Sequence, residues 1–241
     1  IRSMSKSDKL NSLSIFMPAY NEEGNIATTI IDARNAAKKL AKKYEIIVVN
    51  DGSHDRTAEV VLELKKRDKN IRLVSHKENR GYGAAVKTGL KVCQNDWIFF
   101  TDSDGQFRYD ELPKFVNASS KYDLVIGYRK KRMDPFHRVF IAQVLLKIWN
   151  FVLFRLTVRD VDCAYKLFTR EVRDSMSLDT QSAITVTEFI VKAKAHGFRI
   201  LQLPVIHYPR KFGEQTGGNW RVIVRAARES FVLYKQLHEL I

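Results

Sequence analysis

Cysteine is nearly absent from this 241-residue chain. Cys93 and Cys163 are the only two, and no Cys-x-x-Cys pair accompanies them. That argues against a disulfide framework and a zinc site, and fits a reducing compartment. The six histidines show no ligand spacing such as H-E-x-x-H. Neither a G-x-S-x-G elbow nor a P-loop occurs, which disfavours nucleophilic hydrolysis and ATP hydrolysis at a Walker site. Acidic charge is also short: 27 Asp and Glu face 41 Lys and Arg, a formal net charge of +14. The imbalance favours anionic partners, whether nucleotides, phosphates, nucleic acid or an acidic membrane face. No signal peptide is visible, and Ile1-Arg2-Ser3 before Met4 reads as an appended remnant that we exclude from the fold. Long apolar runs are missing too. The most apolar segment, Val139 to Phe154, would span about 24 Å as a helix, short of a hydrocarbon core of roughly 30 Å.

What is present is an alternation of short apolar runs with longer helical patterns. Leu13 to Met17 reads as a first strand, followed by a helix to about Lys43. Glu45 to Val49, Ile71 to Val74 and Trp97 to Phe100 read as further strands, with helices opening near Asp55 and Gly81. Strands separated by helices of this length predict a parallel sheet and an α/β fold. Asp123 to Gly127 and Arg199 to Tyr208 read as later strands, Thr187-Glu188 opens a helix to about His196, and a final helix runs from about Asn219 to Leu240.

The chain is organised around Trp97 to Phe107, W-I-F-F-T-D-S-D-G-Q-F. An apolar strand ends abruptly in Asp102, Asp104, Gly105 and Gln106. Alternate residues of an extended segment point the same way, so both carboxylates can reach one cation. Carboxylate and amide oxygens suit Mg²⁺ or Mn²⁺, which also take oxygens from a diphosphate. Tyr20 and Glu22 follow the first strand, and Asp51 and Ser53 the second. In a parallel sheet these loops lie on one edge, where ligands bind. There a carboxylate can accept from a base or ribose and an aromatic can stack, although either residue also serves as a cap or turn. Gly81-x-Gly83 lacks the third glycine of a dinucleotide fingerprint, because Val86 occupies that place. Its expected role is to let the chain pass close to a neighbour. The run Tyr128 to Arg132 carries Arg129 and Arg132, suited to holding phosphate bidentately; the alternative is a solvated face. In Thr157 to Thr169, Asp162 can orient a substrate or act as a base; the alternative is a cap or an ion pair with Arg159. A basic, glycine-rich loop follows at Pro209 to Gly218. Val139 to Phe154 reads either as a core helix or as one lying in a membrane interface with basic flanks. Arg221, Arg225 and Arg228 form a basic stripe on the last helix.

Pro18-Ala19-Tyr20-Asn21-Glu22, Asn50-Asp51-Gly52-Ser53, Asp102-Ser103-Asp104-Gly105-Gln106 and Asp160 to Phe168, with Arg210 to Glu214, resemble a family two glycosyltransferase of GT-A fold. They are most similar to the polyprenyl-phosphate sugar transferases, including the dolichol-phosphate mannose synthases. The resemblance implies one Rossmann-like domain over 13–218, with a possible membrane-interface helix at 139–156, a tail at 1–12 and a basic amphipathic helix at 219–241. It implies that Pro18, Tyr20, Glu22, Val49, Asp51, Asp102, Ser103 and Asp104 hold the nucleotide-sugar. Asp104 and Gln106 would hold Mg²⁺ or Mn²⁺. Arg129, Arg132, Arg210 and Lys211 would address phosphates, and Asp162 would lie near sugar and acceptor. The implied catalytic set is Asp102, Asp104, Asp162, Arg129 and Arg210. Gly105 replaces a leucine common in the mannose synthases, and Thr216 stands where they usually carry lysine. The implied activity is inverting transfer of a hexose, of GDP-mannose or UDP-glucose type, to polyprenyl or dolichyl phosphate. The enzyme would work peripherally on an anionic, cytoplasmic membrane face and would not bind nucleic acid. Rival readings are a family two transferase acting on a saccharide or protein hydroxyl, and a non-catalytic nucleic-acid-binding module. The dispersed basic residues argue against the latter.

Overall fold

The first strand, β1 (Leu10–Ala19), is almost wholly buried and lies near the middle of a mixed sheet. In this computed structural model the described residues are 9–130, 149–182, 184–213 and 220–238. The strand begins in what reads as tail from sequence: Leu10 pairs with Ala41 and Ser12 with Lys43. That pairing also shortens the first helix. Helix α1 (Ile26–Leu40) ends where Ala41 turns extended, and Ala41 to Tyr44 join β2 (Ala41–Asn50) instead of continuing to Lys43. Ladder hydrogen bonds to β1 outweigh the helical pattern of A-K-K there, an instance of tertiary context overriding propensity.

Helix α2 (Thr57–Arg67), β3 (Ile71–Ser75), α3 (Tyr82–Val92), β4 (Trp97–Thr101), α4 (Leu112–Ala118) and β5 (Leu124–Arg129) follow. Beyond them come a helical turn at 149–154, β6 (Tyr165–Thr169), α5 (Arg170–Asp174), α6 (Ile184–Ala195), β7 (Ile200–Val205) and α7 (Trp220–His238). The described strands form one seven-stranded sheet in the order β3-β2-β1-β4-β6-β5-β7. Every neighbouring pair is parallel except the two that involve β6. Strand order reverses at β1, which has β2 on one side and β4 on the other. Crevices at such a switch point are where open α/β sheets bind ligands.

The core is aromatic at its centre. Phe16 of β1 stacks on Phe100 of β4, with ring centroids 5.0 Å apart. Phe99 and Tyr165 meet edge to face at 4.6 Å, tying β4 to β6. Helix α3 packs closely enough that a Cβ at Gly83 would lie 2.4 Å from the Ser182 carbonyl oxygen and from Thr185 Oγ1. Gly83 therefore serves close passage, whereas Gly81 takes a left-handed φ of +92° with no described neighbour nearer than 3.8 Å to an added Cβ. Helix α6 starts before Thr187-Glu188 and holds both inside. Glu188 is fully buried, accepts from the Asp179 and Thr180 amides, and pairs with Lys192 at 2.6 Å. It is a loop-binding carboxylate, not a helix-opening one.

The helical turn at 149–154 ends in an αL cap. Arg155 adopts φ +46°, its amide donates to the Phe151 carbonyl and the Leu156 amide reaches back to Asn150. Trp149 meets Phe231 of α7 edge to face at 5.0 Å. The rest of the apolar segment at 139–148, Arg132, and the loop at 214–218 with Thr216 lie outside the described residues. No helix among the described residues is long and apolar enough to cross a membrane.

Candidate active site

The loops after β1, β2 and β4 meet on one sheet edge because these strands are parallel. Asn21 takes a left-handed φ of 55°. Its amide donates to Ser53 Oγ, and its side-chain oxygen accepts from the His54 amide. Thr57 Oγ1 accepts from the Glu22 amide at 2.8 Å, and Asp55 from the Glu23 amide at 3.0 Å. Two polar turns thus become one rigid shelf. Tyr20 stands half-exposed on it, its ring edge-on to His54. Val49 is fully buried, so only its backbone can meet a ligand; Pro18 is buried alongside and accepts from Ser103 Oγ at 2.7 Å. Ser103 is accordingly a strut between loops.

Asp51 ends β2 with only 2% of its surface exposed. It accepts from the Arg80 amide (3.0 Å), the Gly81 amide (2.8 Å) and His76 Nδ1 (2.5 Å). Gly52 lets this happen. Its φ is +70°, and any Cβ would sit 2.4 Å from the Glu78 backbone, so the 76–81 segment can close over the strand end.

Asp102 and Asp104 leave β4 half-buried. Tyr82 donates its hydroxyl to Asp102 Oδ1 at 3.0 Å. Burial, then the neighbouring Asp104 carboxylate, push Asp102 up to about 7. Burial likewise raises Asp104, although the Gln106 amide donates to it at 3.0 Å. Two neighbouring carboxylates, both raised by burial, form an electrostatic gap for a cation. Among the described residues no third Asp, Glu, His or Cys joins them in a metal-binding group. The donor set therefore suits a hard divalent ion that completes its coordination with ligand oxygens. Gln106 is buried and spends its amide nitrogen on the Tyr208 carbonyl at 3.0 Å, anchoring the next loop.

That loop brings Arg210 to the site. Its guanidinium pairs with Glu22 at 2.5 Å, donates to the Phe212 carbonyl at 2.6 Å, and lies 3.7 Å from Asp104. Glu22, predicted to hold nucleotide, is buried and bound to Asn25 and Arg210; desolvation raises its pKa despite both partners. Lys211 stands exposed beside it.

The far wall comes from β5 and from the loop before β6. Because β6 runs antiparallel, its N-terminal end reaches the edge where the other strands finish. Arg129 grips Asp160 bidentately, Nε to Oδ2 at 2.6 Å and Nη2 to Oδ1 at 2.7 Å. For Asp162 the sequence offered a cap or an ion pair with Arg159 as the alternative; Arg159 instead lies over the Tyr128 ring, 4.8 Å from its centroid. Arg129 is therefore partnered within the protein. Asp162 is exposed to the cleft and makes no hydrogen bond to a described residue. Desolvation in the cleft, then Asp160, raise its pKa. Beneath it lies Lys166, only 1% exposed, which donates to the Val161 carbonyl at 3.1 Å and to the Cys163 carbonyl. Lys166, Tyr82 and His76 are site residues to which the sequence alone assigns no role. Tyr82 lies within Gly81-x-Gly83, and Lys166 is the second residue of β6, within the Asp160 to Phe168 motif.

Comparison with known proteins agrees with this geometry. Residues 14–172 match the model of glycosyl transferase family 2. A dolichyl-phosphate beta-glucosyltransferase of Trichomonas vaginalis is 32% identical over 214 residues, which cover 80% of this chain and 64% of that protein. The chain thus spans somewhat less than two thirds of that relative's length. Among solved structures, glucosyl-3-phosphoglycerate synthase of Mycobacterium tuberculosis, bound to Mn²⁺, UDP-glucose and phosphoglyceric acid, superposes with a TM-score of 0.72. That match covers 93% of this chain and 80% of the other at 18% identity. The same enzyme with Mn²⁺, UDP and phosphoglyceric acid gives 0.69, covering 92% and 77% at 19% identity. These likenesses establish a GT-A fold, and with the family match they identify the chain as a member of glycosyl transferase family 2.

Proposed function

We propose that the chain transfers a hexose from a nucleoside diphosphate sugar to a polyprenyl phosphate, with inversion, at a membrane surface. The observation that carries this reading is the Asp102–Asp104 pair at the β1/β4 switch point, facing Arg210 across the cleft. Asp102 and Asp104 would hold Mg²⁺ or Mn²⁺. When bound, that ion neutralises charge on the leaving diphosphate. Tyr20, Asp51 and the shelf would seat the nucleoside. Arg210, released from Glu22, and Lys211 would hold phosphate oxygens. Arg129, braced by Asp160, would supply positive field from a fixed position. A phosphate monoester is largely dianionic near neutrality, so it needs no strong base. The 32% identical relative, named for transfer involving dolichyl phosphate, supports a lipid-phosphate acceptor.

The membrane surface has support of its own. Phe151, Val152, Phe231 and Val232 are all exposed, Val152 at 68%. Arg228, Phe231, Val232 and Lys235 occupy one exposed helical face of α7, and Arg155 is exposed beside Phe151 and Val152. An apolar patch rimmed by cations suits an anionic interface, each near-surface cation adding about 1 kcal/mol. The free, buried thiols of Cys93 and Cys163 fit the cytoplasmic face.

Asp162 keeps a second reading alive. A carboxylate without a hydrogen bond to the described residues and raised above its usual range can accept a proton from a saccharide or protein hydroxyl. The two readings separate on product partition with Asp162→Asn as the probe. A lipid acceptor gives organic-soluble product and tolerates the change; a hydroxyl acceptor gives water-soluble product and loses activity. Asp104→Ala should abolish transfer to either acceptor, and near-normal turnover in that variant would overturn the metal role.

A further inference from the structure

We infer that His76 is a positioning residue that sets the base preference of the nucleotide site, by filling Asp51 until one acceptor position is left. The inference rests on the donor-site reading above. An ionised carboxylate offers about four lone-pair positions and no donor. Oδ1 of Asp51 receives two hydrogen bonds, from His76 Nδ1 at 2.5 Å and the Arg80 amide at 3.0 Å. Oδ2 receives one, from the Gly81 amide at 2.8 Å. One position on Oδ2 is left.

His76 is built into the fold for this contact. Its side chain is 6% exposed, and Nε2 lies 2.9 Å from Thr88 Oγ1. Because the carboxylate can only accept, Nδ1 carries a proton, and in the neutral ring Thr88 donates to Nε2. That tautomer is assigned from the partners' chemistry. Strand end, imidazole and the second turn of α3 thus form a relay from Thr88 through His76 to Asp51. The relay fixes the carboxylate rotamer and, with the Arg80 amide, fills Oδ1.

The count discriminates between bases. Uracil presents a single imide N–H, at N3, and one acceptor satisfies it. Guanine presents two adjacent donors, N1–H and the N2 amino group, which call for both oxygens of a carboxylate. At Asp51 one of guanine's donors would be buried without a partner. An unmet buried donor weakens binding by roughly 10- to 100-fold. The site is therefore one for a uridine diphosphate sugar and disfavours a guanosine one. The mannose-synthase resemblance leaves that choice open; the hydrogen bonds that Asp51 already accepts carry the inference.

The test is a calorimetric binding panel of UDP, N3-methyl-UDP and GDP with Mn²⁺ present, on the wild-type chain and on His76→Phe and His76→Asn. The methylated base keeps shape and phosphates but lacks the imide proton. Wild type should bind UDP at least about tenfold tighter than either of the others, as expected for an unmet buried donor. His76→Phe removes the bond that pins the Asp51 carboxylate, which can then turn both oxygens to the base, and should reduce the UDP-to-GDP ratio to within about threefold. His76→Asn retains a donor near Nδ1 and should restore the ratio. A merely structural role would weaken every nucleotide alike and leave the ratio unchanged, which overturns the inference. GDP binding as tightly as UDP to wild type also overturns it, while leaving the transferase reading intact. Failure of every diphosphate to bind overturns the donor-site reading and the inference together. The wild-type arms stand even if a variant does not fold.

Discussion

Removing the Asp160 carboxylate tests how the cleft's far wall is held. In Asp160→Ala the Arg129 guanidinium, its side chain 13% exposed, loses acceptors at 2.6 and 2.7 Å, and its amide loses one at 3.2 Å. Breaking one side of a buried ion pair costs about 3–5 kcal/mol, because the remaining charge stays desolvated. A chain of this size loses about 2–4 °C in melting temperature per kcal/mol, so the midpoint should fall by about 6–20 °C. The double variant Arg129→Met, Asp160→Leu removes both charges and leaves chiefly the Arg129 amide unmet, a cost of about 1–3 kcal/mol. Circular-dichroism melts and urea titrations of wild type, both singles and the double give the coupling directly. Singles that are strongly destabilised and a double close to wild type confirm that the pair is a brace. If Asp160→Ala lowers the midpoint by less than about 2 °C, the pair is solvated and the argument from burial is wrong.

Asp123 supplies a pH test. Its hydrogen bonds from Arg199 hold the carboxyl below its usual value. A depressed folded-state pKa stabilises fully above the unfolded value near 3.9 and is lost as pH falls through the folded one. Asp123→Asn should therefore flatten the acid limb of the stability curve, and an unchanged limb in urea titrations would refute the assignment. Gly83→Ala should destabilise by about 1–3 kcal/mol, since its Cβ meets backbone at Ser182 and Gln181, which a melt can measure. Replacing Phe151 and Val152, both exposed, by serine should abolish co-sedimentation with phosphatidylserine vesicles at low salt while leaving the melt unchanged. Undiminished binding of that variant would dismiss the apolar patch as the membrane contact.

Much of the donor half was legible in the sequence because its signals are local. An apolar strand that stops at Asp102-x-Asp104 announces itself, and β1, β2 and β4 bring their loops together merely by being parallel. Other features depend on partners far along the chain. Arg159 looked like an ion-pair partner for Asp162, whereas it lies over the Tyr128 ring, and the ion pair in this loop joins Asp160 to Arg129 of β5. Glu188 looked like an opening residue of a helix, yet burial and three backbone and hydroxyl donors around Asp179 and Thr180 define it. The Ala41–Tyr44 strand was hidden by lysines that suit a helix equally well. His76 lies in no motif and Lys166 has no assigned role within its own, and only the folded packing shows what they hold.

The reversed direction of β6 has a cost during synthesis. Trp97 pairs with Thr169 and Thr101 with Tyr165, so β4 finds its second neighbour only after a long detour of chain. At about 5–20 residues per second, that strand waits several seconds on the ribosome with one edge open. Its sequence, Trp-Ile-Phe-Phe-Thr, is a flat aromatic edge of the kind that recruits other chains. Truncation before Tyr165 would therefore keep both aspartates of the cation site and still produce an aggregate.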